Sequence, residues 1–121
     1  MMIIKVGCCG FPTSMKKYFM KFKLVEIQKT FYEPPKIETL IKWRQKAPED
    51  FEFSIKAWQV LTHPFSSPTW KRIKTTLEKK ENYGFLRPTE ENFKAWEKTL
   101  EACKALKAKI CVIQTPPSFN C

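Results

Sequence analysis

The chain has 121 residues, 43% hydrophobic and 14% aromatic, which suits one domain (1–121) with a filled core. Twenty-two Lys and Arg against 12 Asp and Glu give a formal charge of +10. Such a surface attracts phosphate, nucleic acid or acidic lipid, and it also keeps a protein in solution. No apolar run approaches the roughly 18 residues of a membrane span. Met1 to Val6, interrupted by Lys5, has no cleavage-like region behind it and is no signal peptide.

Cys8 and Cys9 are neighbours, and the five cysteines form no CxxC pair. That suits neither a disulfide framework nor zinc spacing. Cys103 and Cys111 read as small buried hydrophobes and Cys121 as a tail thiol. The expectation is a reduced, cytoplasmic protein with no membrane contact and no structural zinc.

Ile3 to Val6 reads as a first strand, running into a turn that holds Gly7, Cys8, Cys9, Gly10, Phe11 and Pro12. Its glycines make neither GxGxxG nor a Walker loop, so backbone geometry explains them. Ser14 to Phe22 places Met15, Tyr18, Phe19 and Phe22 at helical spacing. Leu24 to Gln28 is a second strand, with Val25 and Ile27 on one face and Leu24, Glu26 and Gln28 on the other. A helix over Lys36 to Lys46 follows Pro34-Pro35, with Ile37, Leu40, Ile41 and Arg44 on its apolar stripe and Pro48 closing it. Phe51 to Lys56 alternates as a third strand and opens into a loop with Trp58, Gln59, Thr62 and the chain's one histidine, His63.

Pro64 to Pro88 lacks clean periodicity; it predicts a short helix around Thr69 to Leu77 in the most basic loop of the chain. Thr89 caps a helix with Glu90 and Glu91 in its first turn, where the dipole favours them, and with Phe93, Trp96, Leu100, Cys103 and Leu106 as its expected buried stripe. Ile110 to Gln114 is the fourth strand.

Strand and helix alternate, which predicts an α/β fold of parallel (β/α) units with right-handed crossovers. Four strands in 121 residues match the density of half a TIM-type (β/α)8 barrel, at roughly 30 residues per unit. An open sheet leaves two unprotected edges, so a homodimer that completes the barrel is expected, unless the chain is a piece of a longer reading frame. A flavodoxin-like sheet is the other option, though it needs a fifth strand.

The stretches VGCCGFP, VEIQKTFYEPP, WRQKAPEDFEFSIKAWQVLTHP and VIQTPPSF together resemble the DUF72 family, the YecE-like group. The resemblance covers nearly the whole chain and the N-terminal half of the family's domain. It implies a TIM-barrel fold and no particular reaction, because the family has no agreed one. Cys9 departs from the family's pattern, whose first turn usually has other small residues.

In such a barrel the C-terminal ends of the strands line one mouth. Alternation points Glu26, Lys56 and Gln114 inward near that rim, with Thr30, Tyr32, Thr62 and His63 on the loops above. Glu26 and Lys56 suit an acid/base pair, or an ion pair that fills the barrel. His63 is a candidate general base because its ordinary pKa lies near neutrality. These three are the expected catalytic residues; Thr30, Tyr32, Trp58, Thr62 and Gln114 are expected to bind a small polar or phosphorylated substrate. No motif specifies a cofactor; one histidine with Glu26 is too few ligands to define a metal site, and nothing in the spacing demands the O/N site for Mg or Mn that stays open. The alternative function is nucleic-acid binding by Lys71, Arg72, Lys74, Lys79 and Lys80 with Trp70 and Tyr83 interleaved, without an RNP, KH or helix-turn-helix pattern.

Overall fold

The computed structural model describes residues 2–120, so Met1 and the expected tail thiol Cys121 lie outside the described residues. Four parallel strands, β1 (Cys8–Cys9), β2 (Leu24–Ile27), β3 (Glu52–Lys56) and β4 (Ile110–Val112), form one sheet in the order β1-β2-β3-β4. A flavodoxin-like sheet reverses its strand order near the middle. This one runs straight across, and the flavodoxin option falls.

The connections are α1 (Met15–Lys21), a single turn α2 (Lys29–Tyr32), α3 (Ile37–Lys46), a single turn α4 (Gln59–Thr62) and the long α5 (Glu90–Leu106). Tyr18 and Phe19 of α1, Leu40 of α3, and Ala102 and Leu106 of α5 pack on Val25, Ile27, Phe53 and Ile55. Those strand residues all face one way, as alternation requires. The register sets Cys9 beside Glu26, Glu26 beside Ser54, Ser54 beside Ile110 and Lys56 beside Val112, so these residues share the opposite face. Neither hydrophobic cluster includes Leu24, Ile110 or Val112, the apolar members of that face.

Polar side chains fix the joints. Ser14 caps α1 by accepting from the Lys17 N–H. The buried Tyr18 hydroxyl donates to the Leu24 carbonyl at 2.6 Å and accepts from the Cys8 N–H at 2.7 Å, which locks α1 to the β1–β2 ladder. Gly7 is required by close approach, since a Cβ there would lie 2.0 Å from the Leu24 oxygen. Arg44 donates to the Phe51 carbonyl at 2.8 Å and lies over the Phe53 ring, tying α3 to β3.

Several sequence expectations shift. The first strand is Cys8–Cys9 rather than Ile3–Val6, because Cys8 pairs with Val25 and β2 begins at Leu24, leaving residues 3–6 nothing to pair with. The fourth strand ends at Val112 rather than Gln114, since its partner β3 ends at Lys56 and the chain there turns into α4. In place of a helix over 69–77 stands one 3-10 turn, Pro68–Arg72, and a second, Lys80–Asn82, follows further along the loop. The first cannot continue, because the Lys74 and Thr75 N–H groups are taken by the Glu33 carboxylate. The buried stripe of α5 is Asn92, Ala95, Thr99, Ala102 and Leu106, about one position round from the large apolar residues, and Phe93 is 59% exposed. Small side chains let α5 sit close to the sheet, while Phe93 and Trp96 line an open groove with Leu86 and Ile113. Cys103 and Cys111 are half-buried, and the interaction between the two thiols pushes the Cys111 thiol up and the Cys103 thiol down.

Candidate functional site

The C-terminal ends of β2 and β3 carry Glu26 and Lys56, and the two single-turn helices build the wall above them. After β2, α2 brings Phe31 inward; after β3, α4 ends with His63 as its cap residue. Lys56 Nζ lies 4.1 Å from the centre of the Phe31 ring, and the His63 ring meets the same ring edge-on at 5.2 Å. A cation over an aromatic face is attracted by the ring's negative quadrupole, so Phe31 holds the ammonium in place. Burial, seconded by the Lys56 charge, holds the His63 pKa below its usual value of 6.5.

Glu26 sits one strand away. It accepts from the Gln28 amide and, at 3.6 Å, from the Cys9 thiol. The Glu26 charge raises the Cys9 pKa, against a smaller opposing pull from Lys56. Among the described residues Glu26 and Lys56 make no direct ion pair. Thus Cys9, Glu26, Lys56, Phe31 and His63 converge on one rim.

His63 is held from several sides. Its Nδ1 is 2.7 Å from the Thr62 hydroxyl, its N–H bonds the Gln59 carbonyl, and its carbonyl accepts from the Trp70 indole at 3.0 Å. Gly84 packs behind it with φ +91°, and a Cβ there would lie 2.8 Å from the His63 carbonyl carbon and oxygen. The buried Asn92 amide of α5 clamps that glycine, accepting from its N–H at 3.2 Å and donating to its carbonyl at 3.0 Å. Phe85 and Leu86, both at positive φ, donate to the Thr62 and Leu61 carbonyls. Two adjacent left-handed non-glycine residues are costly and persist only where the surroundings over-determine them.

The remaining expected site residues take other places. Thr30 and Thr62 are buried: the Thr30 hydroxyl bonds the Ile27 and Lys56 carbonyls, and that of Thr62 meets Gln59 and His63. They position Lys56 and His63 rather than face a ligand. Trp58 is buried against Ala95 of α5, under the Lys98 ammonium, away from the rim. Among the described residues its indole nitrogen and the Gln59 side-chain oxygen are buried without a partner, although the Gln59 amide donates to the Tyr32 and Thr69 carbonyls. Gln114 is exposed, two residues past β4. Tyr32 lies beneath the Arg72 guanidinium at 4.5 Å, which folds the basic loop back over α2. Lys71, Arg72, Lys74, Lys79 and Lys80 are all exposed, whereas the half-buried Trp70 packs edge-on against the buried Tyr83. No group of three or more His, Cys, Asp or Glu among the described residues is arranged to hold a metal ion.

Residue reading by alternation and loop position missed Phe31, Cys9, Gly84 and Asn92. Only Gly84 carries a signal in the chain, as a lone glycine within the long excursion.

A family model described as "Protein of unknown function DUF72" matches residues 10–121. The chain belongs to the DUF72 family. Two curated relatives, the UPF0759 proteins YecE of Escherichia coli strain K12 and of E. coli O157:H7, are each 35% identical to it over 51 residues. That stretch is 42% of this chain and 19% of each relative, so the similarity spans about a fifth of their length. No solved structure matches the chain. No helix among the described residues is long and apolar enough to cross a membrane.

Proposed function

We propose that this DUF72 chain is a single domain forming the N-terminal half of a (β/α)8-type barrel, whose mouth binds a small polar or phosphorylated substrate. The observation that carries the reading is the convergence of Lys56 and His63 on one aromatic ring, at the C-terminal ends of parallel strands. The barrel geometry is supported by straight strand order and by helices on one face, since parallel sheets are normally covered on both.

Each group has a distinct part. Lys56 is the fixed cation for an anionic or polarised oxygen. The Thr62 hydroxyl has one proton; directed to the Gln59 carbonyl, it leaves Nδ1 of His63 as donor and Nε2 free to accept a proton from substrate. Glu26 is the carboxylate that faces this rim beside Cys9 and Gln28, and it serves as the complementary acid/base group.

The test is a titration of small phosphorylated compounds against the protein by calorimetry, repeated with Lys56→Met and Glu26→Gln. Binding by the parent chain that drops about tenfold or more in Lys56→Met supports the reading. Binding unchanged in both variants places the site elsewhere. The exposed cations from Lys71 to Lys80 favour a second reading, binding of a nucleic-acid backbone, which predicts affinity falling steeply with salt.

A further inference from the structure

A cavity of about 310 Å³ opens beside the mouth, between the first β/α turn and α3, and nothing in the reading above uses it. It is walled by Phe11 and Trp43, whose rings stand nearly perpendicular with centres 6.5 Å apart, and floored by Met15 and Ile27. Gly10, at φ +83°, joins the lining at the first turn, in a backbone conformation that favours glycine. The volume falls at the small end of ligand cavities, about 300–1,000 Å³.

Its charge is one-sided. Lys29 is the only charged side chain in the lining, and its ammonium stands 5.7 Å from the centre of the Trp43 ring. Among the described residues no Asp or Glu lines the cavity, and the polar remainder is Thr13 and Gln28. Two aromatic planes with a thioether beneath them select a flat ring by stacking and edge contacts. An ammonium at the rim then selects a negative substituent on that ring.

We propose that this cavity is a binding site for a small planar aromatic anion of the aryl-carboxylate type, with the ring against Trp43 and Phe11 and the carboxylate at Lys29. It is separate from the mouth and goes beyond the function proposed there. Gln28 lines the cavity while donating to the Glu26 carboxylate, and Gly10 in the same lining donates to the Glu26 carbonyl at 2.8 Å, so the cavity and the mouth meet at Glu26.

The experiment follows the side-chain N–H resonances of the four tryptophans in ¹H–¹⁵N spectra during addition of 2-naphthoate, and in parallel of its neutral amide, 2-naphthamide. The Trp43 signal is assigned with Trp43→Phe. The expected result is a saturable shift of the Trp43 indole, with the anion bound about tenfold more tightly than the amide. Lys29→Gln, an exposed position, reduces the anion to the affinity of the amide and leaves the amide unchanged. Absence of a saturable Trp43 shift into the millimolar range, equal binding of anion and amide, or indifference to Lys29→Gln each overturns the proposal. Shifts confined to the His63 backbone amide in the same spectra place the anion at the mouth instead, and they also overturn it while leaving the mouth assignment standing.

Discussion

His63 carries the clearest single-residue consequence. Burial holds its pKa below the usual 6.5, so the folded chain resists taking a proton that the unfolded chain accepts. The unfolded state therefore binds more protons between the two values, and stability falls as pH drops through about 6.5 and levels off below the folded pKa. Urea unfolding from about pH 8 to about pH 5 checks this, with His63→Gln as comparison. The variant is expected to lose that part of the slope; an unchanged slope would assign it to other groups. The same burial depends on Gly84, because any side chain there presses on the His63 backbone from a conformation that only glycine adopts freely.

At the scale of elements, α5 shows how a helix is set by its ends. The Thr89 hydroxyl accepts from the Asn92 N–H at 3.1 Å and donates to the Asn82 carbonyl at 2.7 Å, so one side chain caps the helix and anchors the preceding loop. The Asn82 amide donates to the Glu91 carboxylate, which is held below the usual carboxylate range. At the other end Lys107 closes the helix in the left-handed region at φ 52°, a place where glycine avoids the Cβ penalty. Lys107→Gly is expected to stabilise the fold by about 1 kcal/mol, and differential scanning calorimetry is expected to show a melting temperature roughly 3–5 °C higher. A lower melting temperature would mean that the lysine side chain does more for the helix end than its backbone costs. Thr89→Ala is expected to act the other way, losing about 1 kcal/mol in urea unfolding.

For the whole molecule the decisive feature is what stays uncovered. Ile3 and Ile4, before β1, are 75% and 77% exposed, and Ile110 on β4 is 57% exposed, so both ends of the sheet present apolar surface. Lys5 and Lys109 both reach Glu52 near the N-terminal ends of the strands and hold its carboxyl below the usual range. Parallel sheets with a bare face and two free edges invite association. Two copies meeting edge to edge about a two-fold axis would pair β1 of one with β4 of the other and enclose the face that carries Glu26 and Lys56. Sedimentation across a range of concentrations is expected to show a dimer, and Ile110→Lys to shift it to monomer by placing a charge at the seam. A well-folded monomer at every concentration would remove the closed-barrel reading.

The amino-acid sequence by itself determined the α/β class, four strands in parallel (β/α) units, the Thr89 cap and the convergence of Glu26, Lys56 and His63 near one end of the sheet. These follow from local periodicity, capping chemistry and alternation, which act over a few residues and leave a trace in the string. Alternation, for instance, correctly separates Glu26 from Val25 and Ile27. Only the tertiary structure decided that β1 is Cys8–Cys9, because strand limits depend on where the neighbouring strand begins. It also decided that α5 buries Asn92, Ala95 and Thr99 in place of Phe93 and Trp96, since close approach to the sheet favoured small side chains over hydrophobic ones. Phe31 and Gly84 entered the site the same way: their roles are contacts with Lys56 and His63 across more than twenty residues of chain, and Asn92 follows through its clamp on Gly84, eight residues away.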